Sequence, residues 1–246
     1  MEETGILHEI DPDGDIELIL QNPNAPFAVW VQDQGTPAAK KRKYNTAFGR
    51  EPSLFHSVDQ CYTHSVASNA ARRRVESTAT PAPAQDEQRK QQTTIRFRVS
   101  SKHLALASVS FRNFLQDDSQ GGNASTFKTS GWDPDAMLIL MNIIHGRHGS
   151  VPTKVNLEMF AKIAALTDYP GCHEAVMFFA RGWISKMSVT TPNKYDRNLV
   201  LWLAVSRVLS RQSIFVVMAK AAIMYSKGPI QTLGLPIPQQ VVGKQR

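Results

Sequence analysis

Residues 96–115 read RFRVSSKHLALASVSFRNFL, and the prediction of the fold starts from this stretch. It predicts a short strand that leads into a pair of helices, with Ser108 embedded where the two helices meet. We expect the Ser108 hydroxyl to hydrogen-bond to backbone groups at that junction. Neither a Gly-x-Ser-x-Gly elbow nor a glycine-rich phosphate loop occurs in the chain, so this serine is not predicted to be a nucleophile.

The clearest helix signals follow residue 130. Asp133 is a capping residue, and Pro134 then stands at the first helical position. One apolar face follows at i, i+3, i+4 and i+7, formed by Met137, Leu140, Met141 and Ile144. Gly146 is expected to end this helix, 133–145, and His145 to satisfy its terminal carbonyls. Four more helices are predicted, at about 156–169, 172–185, 197–210 and 213–225.

Two strands are predicted near the N-terminus, at residues 16–20 after the turn 11–15, and at residues 28–31. The composition then changes: residues 36 to about 94 are rich in Ala, Thr, Ser, Gln, Pro and basic side chains. Too little apolar surface is available there to offset the entropy of ordering, so this segment is predicted to be disordered. A few short strands with five or six short helices predict the α+β class.

The net charge of +7 is distributed unevenly over the 246 residues. Residues 1–35 carry eight acidic and no basic side chains, whereas residues 95–246 carry eighteen basic and eight acidic ones. A cationic body attracts anionic partners without specificity, and salt weakens that attraction. The charge therefore favours anionic partners as a class and names none of them.

Other bulk properties predict the compartment. No apolar run reaches the roughly eighteen residues that a membrane span needs. The first thirty residues lack the pattern of a secretory signal. The two cysteines, Cys61 and Cys172, lie far apart and predict no disulfide framework. We therefore expect a soluble intracellular protein, in the nucleus or the cytoplasm, without membrane contact.

Two compact basic runs lie in the segment that is predicted to be disordered. Such a run is typical of nuclear-import signals, and the pair is also typical of a weak nucleic-acid-binding arm. Many solvated loops carry similar runs without a particular role, so three interpretations stay open. The residues are Lys40, Lys41, Arg42, Lys43, Arg72, Arg73 and Arg74.

Two further groups of residues contain the residue types of metal-binding or catalytic sites. Cys61 and His64 have the spacing of zinc ligands, but a structural zinc site needs four ligands from paired motifs, and no matching pair accompanies them. Ser101, His103 and Asp117 contain the residue types of a catalytic triad without any of its sequence motifs. We therefore predict no metal, no cofactor and no enzymatic activity.

Three blocks of the sequence resemble the BTB/POZ-like proteins of filamentous fungi. The first is the strand and helix pair, where the His, Leu, Ser and Phe of the family pattern correspond to His103, Leu106, Ser108 and Phe111. The second covers residues 132–146 and continues through 156–169, and the third is the opening, 9–27. Together the resemblance covers about residues 9–35 and 95–225.

The resemblance implies a small sheet beside stacked helical hairpins. Residues 9–187 are then one BTB/POZ-like domain, interrupted by a disordered basic insertion at about 36–94. The remaining segments are a flexible N-terminus at 1–8, a helical C-terminal extension at 188–227 and an irregular tail at 228–246. A fold tolerates such an insertion because loop closure costs only about 0.6 kcal/mol more for each doubling of loop length.

The resemblance also implies a non-catalytic interaction module that forms a homodimer or binds another protein. Strand 16–20 and the acidic N-terminal segment are candidates for pairing with a second protomer. The chain before that strand is short and polar, so exchange of an N-terminal strand is not expected. The family's dimer face lies on the helix pair, which makes Leu104, Phe111 and Phe114 interface candidates. The alternative for these three residues is a position in the core, where His103 is also expected.

Two alternative functions stay open. Some BTB proteins recruit substrates to a cullin-type ubiquitin ligase, although the hydrophobic-x-Glu pattern of such adaptors does not follow the predicted helix 133–145. A nuclear regulator that contacts nucleic acid through the basic insertion is the other alternative.

Overall fold

Strands predominate in the first half of the chain and helices in the second, and the computed structural model describes them over residues 5–30, 94–119 and 126–237. These residues form a mixed fold with a four-stranded sheet and seven α-helices, which confirms the α+β class. The strands are β1 Ile6–Glu9, β2 Ile16–Gln21, β3 Ile95–Val99 and β4 Thr126–Ser130. The helices are α1 Ser101–Ala107, α2 Val109–Ser119, α3 Pro134–Ile144, α4 Leu157–Asp168, α5 His173–Lys186, α6 Arg197–Val208 and α7 Gln212–Tyr225.

The sheet has the order β1-β3-β2-β4. Strands β2 and β3 are antiparallel, with Leu18 opposite Phe97, and β1 and β4 each add a parallel strand outside this pair. The alternate residues Ile16, Leu18 and Leu20 of β2 are buried, because successive side chains of a strand point to opposite faces. One face of the β2–β3 pair therefore packs against the core.

The sheet corrects three predictions for the N-terminal region. Strand β1 occupies part of residues 1–8, which were predicted to be flexible, because its backbone pairs with β3. Strand β2 lies between β3 and β4, so residues 16–20 have no free edge with which to pair another protomer. The strand predicted at 28–31 is irregular over its described residues, where Ala28 has a φ of 46°.

The predicted helices are confirmed, with ends within two residues of their expected positions. Side chains cap three of them: Asp133 accepts from the Ala136 N–H at 3.0 Å, Asn156 from Met159 at 2.8 Å and Asp196 from Leu199 at 3.0 Å. Gly146, with a φ of 69°, follows the end of α3 in the left-handed conformation that glycine adopts readily. None of the described helices is long and apolar enough to cross a membrane.

Helix α3 lies in the core and packs against β3, α1, α4 and α5. Helix α6 packs against α4, and α7 packs on α6. The chain after α7 is irregular as predicted, yet Ile230, Leu235 and Ile237 are buried. The Gln231 N–H donates to the Tyr195 hydroxyl at 2.8 Å, which attaches this segment to the loop before α6.

A cluster of charged side chains joins α3, α4 and α6 near residues 27–28. Lys162 lies 2.8 Å from Asp133 and 3.5 Å from Glu158, and Glu158 lies 2.9 Å from Arg197. The Arg197 guanidinium also donates to the carbonyls of Phe27 and Ala28. These contacts join the irregular segment at residues 27–28 to the start of α6. The predicted insertion lies outside the described residues except for Thr94.

Candidate functional site

The junction of α1 and α2 is organised by Ser108. Its hydroxyl oxygen accepts from the N–H groups of Ser110 at 3.1 Å and Phe111 at 3.3 Å, and its hydroxyl donates to the Pro170 carbonyl. The side chain is buried, so these bonds are shielded from water. This confirms the predicted role of Ser108. It also ties the helix pair to the end of α4, which Pro170 follows.

The three interface candidates do not share one surface. Leu104 is 2% exposed and Phe111 is 6% exposed, so both belong to the core and are not available to a partner. Phe114 is half-buried, with its ring centroid 4.9 Å from that of Phe127 in an edge-to-face contact. Phe111 contacts the same ring at 5.8 Å. These aromatic residues pack α2 onto β4, and this is why they face inward.

The exposed apolar residues of the helix pair are Leu106 and Val109, with exposed fractions of 82% and 63%. They flank Ser108, on the outer side of the α1–α2 junction. The Arg112 guanidinium donates to the Ala105 carbonyl from Nε at 3.2 Å and from Nη2 at 2.9 Å, which links the two helices. We call Leu106 and Val109 the junction patch.

Helical spacing is the signal that locates the junction patch. Residues two apart on a helix do not share a face. If Leu104 faces the core, Leu106 therefore cannot, and the same argument separates Val109 from Phe111. The sequence prediction missed this surface because it took its interface candidates, Leu104, Phe111 and Phe114, from the family resemblance and not from helical spacing.

His103 lies on the exposed side of α1, so its predicted place in the core under the sheet is wrong. Its ring centroid lies 5.0 Å from that of His145. His145 Nδ1 lies 2.9 Å from the Met141 carbonyl oxygen, which confirms that this histidine satisfies a carbonyl in the last turn of α3. Its Nε2 accepts from the Ser100 N–H, also at 2.9 Å. Burial lowers the pKa of His145, and a charge on His103 acts in the same direction.

The first turn of α1 has a second anchor on the sheet side. Asp15 accepts from the Ser101 N–H at 2.8 Å and from the Ser101 hydroxyl at 2.6 Å. Burial acts to raise the pKa of Asp15, but the hydrogen bonds from Ser101 outweigh it and the pKa is lowered. Asp15 and His145 therefore hold the start of α1 from two sides.

The groupings with catalytic or metal-binding residue types are not assembled in the described residues. The Ser101 hydroxyl donates to Asp15 instead of to His103, and the side chain of Asp117 lies outside the described part. No group of three or more His, Cys, Asp or Glu side chains that could hold a metal occurs among the described residues. Burial raises the pKa of Cys172 to about 12.

Several sequence candidates lie outside the described residues. These are Cys61, His64 and both basic runs, Lys40–Lys43 and Arg72–Arg74.

A second apolar surface lies on α7. Its outer side exposes four apolar side chains around Lys220, namely Val216, Val217, Ile223 and Met224. Their spacing of i, i+1, i+7 and i+8 places them on one helical face.

A scan against protein-family models and a search of curated proteins returned no match for this chain. The BTB/POZ resemblance therefore rests on the residues quoted above.

Proposed function

We propose that this chain is a non-catalytic protein-interaction module of the BTB/POZ type, which self-associates or binds another protein through the junction patch. The exposure of Leu106 and Val109 is the observation that carries the proposal. Single exposed apolar residues are normal on a protein surface. These two instead flank a helix junction that several hydrogen bonds hold, and large exposed apolar patches are typical of contact surfaces.

The order of the elements supports the BTB/POZ assignment. The antiparallel pair β2–β3 leads into the α1–α2 hairpin, β4 then returns beside β2, and the helices α3, α4 and α5 pack on one another, with α3 against β3. A small sheet beside stacked helical hairpins is what the resemblance implies.

The sheet offers a second contact element. Strand β1 lies at one edge of the sheet, and its Ile6 and Leu7 are 58% and 54% exposed. An edge strand has unpaired backbone groups that can pair with another chain. Stable interfaces bury about 800 Å² on each partner, so an assembly through the junction patch needs further contacts of this sort.

Light scattering after size exclusion, on the full chain at moderate and high salt, tests the proposal. We expect an oligomer that persists at high salt, because apolar contacts are not screened by ions. Leu106→Glu should dissociate it, because an unpaired charge in an apolar contact is costly. Ile223→Glu is the matched control: Ile223 is a similarly exposed apolar residue on a different surface, at 73%.

Two results would contradict self-association through this surface. One is a wild-type monomer at concentrations of tens of micromolar. The other is an oligomer that Ile223→Glu dissociates and Leu106→Glu does not. A monomer that captures a defined partner protein, and loses it on Leu106→Glu, would keep the surface and change the partner from a second copy to another protein.

The apolar face of α7 favours the adaptor alternative as a second candidate function. A helix face with exposed apolar residues at i, i+1, i+7 and i+8 is a surface on which a partner helix can pack. Purified cullin, titrated against the wild type and Ile223→Glu, tests this candidate. Equal signals from the two proteins, or no binding at micromolar concentration, would exclude a cullin surface on α7.

A further inference from the structure

Both ring nitrogens of His145 form hydrogen bonds, and these bonds define the protonation state of the ring. A backbone N–H only donates and a carbonyl oxygen only accepts. The Ser100 N–H therefore requires a lone pair on Nε2, and the Met141 carbonyl requires a proton on Nδ1. The contacts are satisfied by the neutral ring. An imidazolium carries protons on both nitrogens, so it cannot accept from Ser100.

Ser100 is the residue through which this contact reaches the helix pair. It connects β3 to α1, it is 9% exposed, and its side chain makes no capping hydrogen bond. Its carbonyl accepts the first bond of the helix, from the Leu104 N–H at 3.2 Å. A buried N–H that loses its acceptor is costly. Protonation of His145 therefore disfavours the conformation from which α1 starts.

The charged groups around His145 act in different directions. A charge on His103 opposes a charge on His145, whereas the Asp11 carboxylate, in the turn before β2, favours one. Arg147, just after α3, donates to the carbonyls of Glu9 and Ile10 at 2.9 and 2.8 Å. At the start of α1, the Lys102 ammonium attracts Asp15. Burial nevertheless dominates, and it disfavours the charged ring.

We propose that His145 is a proton-sensitive latch, that is, a side chain whose protonation breaks the hydrogen bond from the Ser100 N–H. Loss of this bond loosens the start of α1 and so weakens the binding of a partner at the junction patch. The consequence for the patch rests on the proposed function, whereas the latch itself does not. Because the pKa of His145 is lowered in the folded chain, its contribution to stability is complete above the ordinary histidine value near 6.5 and decreases as the pH falls below it.

Nuclear magnetic resonance of the full chain between about pH 7.5 and pH 5 tests the latch, over the range in which histidine normally titrates. The His145 ring should titrate below the usual histidine value. Amide exchange at Leu104, corrected for the intrinsic pH dependence, should accelerate by about tenfold, the size expected for the loss of one buried hydrogen bond.

Two variants provide the comparison. His145→Gln offers an oxygen acceptor and an N–H donor without a titrating group, so exchange at Leu104 should become independent of pH. His103→Gln, the matched control on the exposed ring, should keep the response. The latch is wrong if exchange in the wild type does not change with pH, or if His145→Gln responds as the wild type does. The wild-type titration decides the question even if a variant fails to fold.

Light scattering over the same pH range separates the latch from the proposed function. Loss of the oligomer in the wild type, and its retention in His145→Gln, supports both. Faster exchange at Leu104 with an unchanged oligomer supports the latch and contradicts an interface at the junction patch. Unchanged exchange overturns the latch, whatever the oligomer does.

Discussion

The α1–α2 pair and the α4–α6 pair are both helical neighbours, but they are held in different ways. Helix α1 buries one of its seven residues, whereas α6 buries nine of its twelve and α4 seven of its twelve. Buried apolar area therefore dominates the contact between α4 and α6, and the Glu158–Arg197 ion pair at 2.9 Å adds to it. The α1–α2 pair buries fewer apolar residues, and individual polar contacts of Ser108, Asp15 and His145 hold it in addition. A region of the second kind can respond to a single proton or a single substitution.

The largest loss of stability should come from a substitution in the α4–α6 pair, which buries the most apolar surface. Phe160 on α4 is fully buried, and its ring lies edge-to-face on Trp183 and Trp202, at 5.6 and 6.4 Å. Phe160→Ala should lower the free energy of unfolding by about 3–5 kcal/mol, because it removes apolar contacts and leaves a cavity. Urea unfolding measures this change. A loss below about 1 kcal/mol would mean that α4 and α6 are not held by this packing.

Among the polar contacts of the α1–α2 pair, Ser108→Ala should have the largest effect. The substitution leaves the N–H groups of Ser110 and Phe111 and the Pro170 carbonyl without the Ser108 hydroxyl. We expect a loss of about 1–3 kcal/mol in the free energy of unfolding. Ser108→Thr keeps the hydroxyl and is the control. If the stability of Ser108→Ala is unchanged, the α1–α2 pair is also held mainly by the burial of apolar surface.

Asp133→Asn should have a smaller effect that depends on pH. Asparagine also caps a helix, so the substitution removes mainly the ion pair with Lys162 at 2.8 Å and should cost about 1 kcal/mol at neutral pH. Burial acts to raise the pKa of Asp133, but the bonds from Lys162 and Ala136 outweigh it and lower the pKa.

The sign of this pH dependence follows from the lowered pKa. The contribution of the Asp133 carboxylate is complete above the usual aspartate value near 4 and is lost as the pH falls through the lowered pKa. The difference between wild type and Asp133→Asn should therefore be constant from about pH 7 to pH 5 and shrink in acid. Thermal unfolding at several pH values measures it. A difference that grows in acid would contradict this assignment.

The smallest effect on stability should come from the junction patch. Leu106→Glu changes a side chain that is 82% exposed, so the free energy of unfolding of the monomer should change by no more than about 0.5 kcal/mol. Leu104→Ala, two residues earlier, should cost about 2–5 kcal/mol. Urea unfolding of both variants gives the comparison within one helix. Equal losses would mean that the two leucines are not on opposite sides of α1.

The sequence predicted the α4–α6 region better than the α1–α2 region. Helix α3 and the helices after it carry caps and apolar periods of their own, such as Asp133 with Pro134 and Asn156 at the start of α4. Strands β1 and β4 escaped prediction because their pairing partners lie far away in the chain. The site was predicted in part: Ser108 was placed correctly, and the alternative of a core position is the correct one for Leu104 and Phe111, but the exposure of Leu106 and Val109 was not predicted.

The sequence by itself determined the class of the fold, the helices from α3 onward and the role of Ser108, because caps, periods and turn residues act over a few neighbouring positions. Only the tertiary structure decided which residues of the α1–α2 pair reach the surface. It also placed Ser100 on His145, which lies forty-five positions further along the chain. A contact between distant positions leaves no local pattern, since the packing of β3, α1 and α3 creates it.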